Sequence, residues 1–207
     1  MTRFISIIAA VVGVFFSAIT LNAGKPSAAT VMKKSSELMK DTPSLTVKFT
    51  LSEGADISTG TLRLSGDKFV TTLDGGATTW YDGTTQWVYN PKVNEMTVSA
   101  PTPDELATIN PFVIMSSLQK SYTSKHLKAQ ANRYVIELTP VSKSADIKKA
   151  VITVDSKYIP IQAAITLSNG HTASIKVKTI TKGGKLAQSY FRPDKNKYRS
   201  AEWIDLL

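Results

Sequence analysis

The sequence predicts a mainly β protein with some α-helix, built on one antiparallel sheet of about eleven strands. Three observations lead to this prediction. Apolar and polar residues alternate over short stretches along most of the chain. Asp-Gly, Asn-Gly and Asn-Pro turns separate these stretches at short intervals. Two segments, one near the start and one in the middle, instead carry helix-start signals.

Residues 1–23 have the composition of a secretory signal peptide. Arg3 gives a basic start, residues 4–21 are predominantly apolar, and Ala23 is a small residue followed by a polar stretch. An uncleaved membrane anchor is the alternative, because this run approaches the roughly 18–20 residues that span a bilayer. We expect cleavage after Ala23, export to the periplasm and a single domain over residues 24–207.

Composition restricts the possible chemistry. The 207 residues include no cysteine, which excludes disulfides, thiolate metal sites, cysteine nucleophiles and a lipid-modified cysteine. The net charge of +9 would suggest nucleic acid as a partner in a cytosolic protein. Export, and the lack of aromatic residues interleaved with basic runs, argue against that partner. We expect the lysines to form a solvated face, or to attract anionic lipid headgroups or an acidic partner.

A first helix is predicted between Ser27, which can cap it, and Pro43, because apolar residues recur there at near-helical spacing. The period then changes to two, and short turns between the strands indicate a meander. A sheet of this size must curl, since open sheets beyond about ten strands are rare. Its concave apolar face then needs a cover. The predicted strands are residues 45–51, 59–64, 68–73, 78–81, 85–89, 95–99, 125–129, 133–139, 150–155, 160–167 and 172–181.

The middle of the chain interrupts this rhythm with a second helical segment. Thr102, Pro103 and Glu105 form a capping box with proline at the first helical position. A further helix start follows at Asn110-Pro111, and the residues after it are apolar on every side of the helix. We predict a helical lid, and an ordinary buried helix is the alternative. The candidate lid residues are Phe112, Val113, Ile114, Met115 and Leu118.

Catalytic motifs are weak in this sequence. His126 and His171 lack the spacing of a zinc site, and no Gly-x-Ser-x-Gly elbow is present. Asp74 and Asp82 precede glycines, where turn formation explains them. We therefore predict a binding protein that is not an enzyme and has no cofactor or metal.

Several segments resemble a known family, the periplasmic outer-membrane lipoprotein carriers of the LolA type. The resemblance is carried by residues 81–83 (Tyr-Asp-Gly), 86–91 (Gln-Trp-Val-Tyr-Asn-Pro) and 110–115 (Asn-Pro-Phe-Val-Ile-Met). Fainter similarity extends over most of residues 24–207. The family pattern has an Arg-Pro pair after the second strand, linked to lid closure, where this chain has Gly66-Asp67.

The resemblance implies an incomplete antiparallel β-barrel covered by an α-helical lid, with an apolar cavity between them. It also implies a carrier that receives acylated lipoprotein cargo from an inner-membrane ABC complex and passes it to an outer-membrane acceptor. The carrier itself is expected to be a monomer that binds neither ATP nor metal. The candidate residues for the concave wall are Val47, Phe49, Leu62, Leu64, Trp80, Trp87, Tyr89, Met96, Val98, Ile136, Leu138, Ile165 and Leu167.

Two other functional classes are consistent with the sequence. A similar half-barrel occurs in periplasmic regulators of the envelope-stress response, although these add a second domain. An exported lipid or glycan hydrolase is the other alternative, and it would need a nucleophile or a base that the sequence does not reveal.

Overall fold

The computed structural model describes residues 25–103, 105–106, 110, 121–127, 132–142 and 145–207. In this part of the chain there is one long helix, a twelve-stranded sheet and a short 3₁₀ helix at Gln188–Phe191. The elements are α1 (Ala28–Asp41), β1 (Ser44–Glu53), β2 (Asp56–Ser65), β3 (Lys68–Leu73), β4 (Thr78–Tyr81), β5 (Gln86–Asn90), β6 (Glu95–Ser99), β7 (Tyr122–His126), β8 (Arg133–Pro140), β9 (Ile147–Asp155), β10 (Pro160–Leu167), β11 (Thr172–Gly183) and β12 (Glu202–Asp205).

Helix α1 begins and ends where its capping residues predict. The backbone N–H of Thr30 donates to Ser27 Oγ at 3.1 Å, as expected of an N-cap serine. At the other end Thr42 Oγ1 donates to the Leu38 carbonyl oxygen at 2.8 Å, which satisfies a carbonyl of the last turn. The predicted first helix is confirmed.

The sheet consists of two meanders joined by one pairing. Strands β1 to β6 lie side by side in chain order, and so do β7 to β11. Strand β1 then pairs with β11, so that all of these strands belong to one sheet. The predicted meander is therefore confirmed within each half. Strand β12, which the sequence did not predict, runs parallel to β6 at one end of the sheet.

Cross-strand register divides the strand residues between two faces. The first face carries Val47 opposite Leu62 and continues to Ile152 and Ile136 at the other end of the sheet. Buried residues of this face form one cluster with Val31 of α1. We call this side of the sheet the helix face. The opposite face is partly covered by residues 186–203, and we call it the tail face. Because the helix-face cluster joins β1–β3 with β8–β11 around α1, the sheet is open and curled around the helix.

In the described ranges, no helix combines the length and the hydropathy that crossing a bilayer requires.

The close packing of β1 on β2 depends on a glycine, and this generates a first prediction. Gly60 lies opposite Phe49, and a Cβ at position 60 would lie 2.8 Å from Phe49 Cζ and 2.6 Å from the Thr72 carbonyl oxygen. The Gly60→Ala substitution should lower the free energy of unfolding by about 1–3 kcal/mol, because a backbone atom cannot move aside easily. Urea denaturation followed by circular dichroism measures this change.

Gly184→Ala is the matched control, since a Cβ there would meet no atom of the described residues within 4 Å. We expect its stability to stay within about 0.5 kcal/mol of the wild type. Unchanged stability of the Gly60→Ala variant would contradict the tight packing of β2 at Gly60 against Phe49 of β1 and Thr72 of β3.

Candidate functional site

Helix α1 packs more tightly on the sheet at its beginning than at its end. Val31 and Met32 are only 0 % and 4 % exposed and belong to the helix-face cluster. Leu38 and Met39, one to two turns further on, are partly exposed. The end of α1 therefore leaves apolar surface of the sheet uncovered.

This uncovered surface forms a cavity of about 200 Å³ between the end of α1 and the sheet. The described lining residues are mostly aliphatic, and the hydroxyl of Thr42 among them already donates to the Leu38 carbonyl oxygen. The interior thus offers contact area to an apolar chain and little hydrogen-bonding capacity to a polar one. The lining residues are Leu38, Met39, Thr42, Leu45, Val47, Lys157, Ile159, Pro160, Ile180 and Lys182.

Eight of the thirteen predicted wall residues lie on the helix face. Val47 lines the cavity, and the other seven surround α1 as packed core or at its margin. Most of the described lining residues were not among the predicted residues, although Leu45 continues the alternation of Val47 and Phe49. The eight residues are Val47, Phe49, Leu62, Leu64, Ile136, Leu138, Ile165 and Leu167.

The other five predicted wall residues lie on the tail face. Trp80 pairs with Trp87 across β4 and β5, and Trp87 pairs with Val98. On β3 this row continues to Val70, whose neighbour Phe69 points to the helix face. The single wall expected from the sequence is therefore divided between two faces. The five residues are Trp80, Trp87, Tyr89, Met96 and Val98.

The tail face has its own hydrophobic cluster, built by the segment after β11. Phe191, which is 1 % exposed, packs in one buried cluster with Val70, Trp80 and Met96. The ring of Tyr198 meets the edge of Trp80 at 5.5 Å between centroids. Apolar residues of this polar-looking segment thus hold it against the sheet.

A charged contact fixes the same segment to the turn between β4 and β5. The Asp82 side chain is 3 % exposed, and its Oδ2 accepts hydrogen bonds from Arg192 Nη2 at 2.7 Å and Arg192 Nε at 2.8 Å. Its Oδ1 accepts from the backbone N–H groups of Thr84 and Thr85. The predicted turn role of Asp82 is confirmed, and the pairing with Arg192 adds a second role.

These contacts set the pKa of Asp82. Burial acts to raise the pKa, but the hydrogen bonds from Thr85, Thr84 and Arg192 outweigh it, so the pKa lies below the ordinary value of an aspartate. For the neighbouring Tyr81, burial and the carboxylates of Asp67 and Asp82 raise the pKa of the phenol. Asp82 is therefore held as a carboxylate in the folded protein.

The second helical segment is described only at its start. The backbone N–H of Thr102 donates to Glu105 Oε2 at 2.7 Å, and the N–H of Glu105 donates to Thr102 Oγ1 at 3.3 Å. The predicted capping box is confirmed, and Leu106 belongs to the helix-face cluster. The candidate lid residues Phe112, Val113, Ile114, Met115 and Leu118 lie outside the described residues.

Among the described side chains, no three histidine, aspartate or glutamate residues are grouped so that they could hold a metal ion.

The described part of the chain is thus a curled sheet with a mostly aliphatic cavity beneath the end of α1. The sequence matches the family described as outer membrane lipoprotein carrier protein LolA over residues 18–171. Since the match covers well over half of the chain, this protein belongs to that family. The match ends just before β11, which begins at Thr172.

Solved structures add the fold comparison. An uncharacterized conserved protein from Thermus thermophilus shares the fold, with a TM-score of 0.53 and 12 % identity over 84 % of this chain and 96 % of that one. The LolA superfamily protein NE2245 from Nitrosomonas europaea has a TM-score of 0.49 and 15 % identity over 82 % and 99 %. The MucA/MucB complex of Pseudomonas aeruginosa has 0.43 and 13 % over 81 % and 61 %. The comparison with curated proteins finds no match.

The contact between Asp82 and Arg192 generates a second prediction. Arg192→Ala should lower the free energy of unfolding at pH 7 by about 1–3 kcal/mol, because it leaves a buried carboxylate without its cation. The effect is smaller than for a fully buried pair, since the Arg192 side chain is 57 % exposed. Urea denaturation measures it, and Arg199→Ala in the same segment, also exposed, is the control.

The pH dependence follows from the direction of the pKa shift. A carboxylate whose pKa is lowered on folding stabilises the fold above its unfolded pKa, and this contribution is lost as the pH falls through the folded pKa. The gap in stability between wild type and Arg192→Ala should therefore shrink below about pH 4. A gap that is the same at pH 7 and pH 3 would contradict an electrostatic origin.

Proposed function

We propose that this protein carries acylated lipoproteins across the periplasm, receiving them from an inner-membrane ABC complex and passing them to an outer-membrane acceptor. The aliphatic cavity beneath α1 is the observation that carries this proposal, together with membership of the lipoprotein-carrier family. Binding then rests on burial of acyl methylenes, each contributing about 0.8 kcal/mol, and no bond is made or broken. The protein acts as a monomer without a cofactor.

Because the cavity is small, the elements that cover the helix face must move apart while cargo is loaded. Sites that enclose a drug-sized ligand usually measure roughly 300–1,000 Å³, so the cavity of about 200 Å³ is too small for a triacylated anchor. The partly exposed end of α1 packs less tightly on the sheet than its beginning, so moving this end breaks fewer apolar contacts. We propose that a lid supplies the second part of this cover, and that its displacement admits the acyl chains. Its candidate residues are Phe112, Val113, Ile114, Met115 and Leu118.

The proposal also requires export. Residues 1–23 act as the signal peptide, and the single carrier domain begins at Gly24. Edman sequencing of the protein from periplasmic extract should give Gly-Lys-Pro-Ser as its first residues. Recovery in the membrane fraction with Met1 retained would contradict this prediction.

Acyl-selective binding is the direct test of carriage. An environment-sensitive apolar dye bound to the protein should be displaced by a triacylated lipopeptide and not by the same peptide without acyl chains. Fluorescence titration measures both displacements. Equal displacement by the two peptides would contradict the carrier function, because it would show that the acyl chains are not what the protein recognises.

The lid is tested by variants in the same assay. Replacing Ile114 and Met115 with Asp would place unpaired charges under the cover, at a cost of several kcal/mol, and should abolish displacement while the circular dichroism of the sheet persists. The control makes the same change at Ile57 and Val93, which are 73 % and 63 % exposed. Loss of the sheet signal in the first variant would identify this segment as ordinary core.

A further inference from the structure

Two lysines at the rim of the apolar cavity have no charged partner in the part of the chain that the structure describes. Lys157 lies in the turn between β9 and β10, and Lys182 lies on β11 opposite Leu45. Both are exposed, and neither forms an ion pair with any described residue. The acidic residue of the same turn, Asp155, uses its Oδ1 to accept the backbone N–H groups of Lys157 and Ile159, each at 2.8 Å.

Another lysine of this region, Lys34, does have an interaction partner. Lys34 Nζ lies 4.8 Å from the centre of the Tyr158 ring and 3.4 Å from its hydroxyl oxygen. Lys157 is adjacent to Tyr158 in sequence, but the cation–π contact with the Tyr158 ring is made by Lys34. The ammonium groups of Lys157 and Lys182 are thus left to solvent, while both side chains line an apolar interior.

This arrangement favours one kind of ligand. Two positive charges at one apolar opening repel each other and attract an anion. The described lining of the interior favours apolar atoms, because the Thr42 hydroxyl already donates its hydrogen to the Leu38 carbonyl oxygen. The volume of about 200 Å³ suits a single chain and not three.

We propose that the cavity is a binding site for a single-chain anionic amphiphile of the fatty-acid class. The chain lies against Leu45, Val47 and Ile180, and the carboxylate lies at the rim beside Lys157 and Lys182. This site uses the same cavity as the proposed lipoprotein carriage, but it needs neither a peptide nor opening of the lid.

Matched probes separate the contribution of the chain from that of the charge. Calorimetric titration of the protein that begins at Gly24 with dodecanoate, dodecan-1-ol and acetate compares a charged chain, a neutral chain and a charge without a chain. We expect dodecanoate to bind about tenfold more tightly than dodecanol, a difference that added salt reduces. Acetate should not bind measurably.

Two double variants identify the groups responsible. Lys157→Gln with Lys182→Gln should abolish the preference for dodecanoate and leave dodecanol binding unchanged. Lys148→Gln with Lys149→Gln removes the same charge from exposed positions of β9 outside the cavity lining and should keep the preference. Equal binding of dodecanoate and dodecanol by the wild type, or a preference that survives in the first variant, would overturn the proposal.

The outcome is independent of the test of carriage. Lysine-dependent binding of dodecanoate without binding of the triacylated lipopeptide would support this site and contradict the carrier function. Binding of the lipopeptide without a preference for dodecanoate would do the reverse.

Discussion

The pairing of β1 with β11 is the contact on which the rest of the structure depends. Each meander forms between strands that are neighbours in sequence, whereas β1 and β11 lie near opposite ends of the domain. Their pairing must offset the entropy of closing that long loop, and in return it places Val47 and Phe49 beside Ile180 and Val177. This row is the floor beneath α1. Without this pairing the apolar face would be divided between two separate meanders. Leu45 and Val47 of β1 would then not lie beside Ile180 of β11 to line the cavity.

Hydrophobic alternation predicted the strands well because the side-chain period along a strand is two, whichever strand it pairs with. The bounds of β3, β4, β6 and β10 agree with the prediction to the residue. Alternation does not show which face of one strand continues which face of the next, since this depends on register. The aromatic pair Trp80 and Trp87 illustrates the point. Its apolar side chains suggested a cavity wall, but its cross-strand row includes Val70, which lies on the tail face.

The cavity and the tail contacts could be predicted less well, because both are made by residues far apart in sequence. The cavity lining comes from the end of α1, the start of β1, the turn after β9 and the end of β11. None of these short pieces carries a local motif for binding. Likewise, the turn at Asp82 can be predicted from the Asp-Gly pair alone. Arg192 reaches this turn because Phe191 and Tyr198 pack on the tail face, which no local motif predicts. The family match ends before this segment and gives no guide to it.

The parallel strand β12 has a consequence for how the protein tolerates high concentration. An open sheet has two edge strands whose free N–H and C=O groups can recruit a strand from another molecule. In the part of the chain that the structure describes, one edge is β12, only four residues long and carrying exposed Glu202 and Asp205, and the other is β7, five residues long. Removing β12 would turn β6, with its alternating Met96 and Val98, into the edge. Short, charged edges of this kind disfavour growth of the sheet into fibrils.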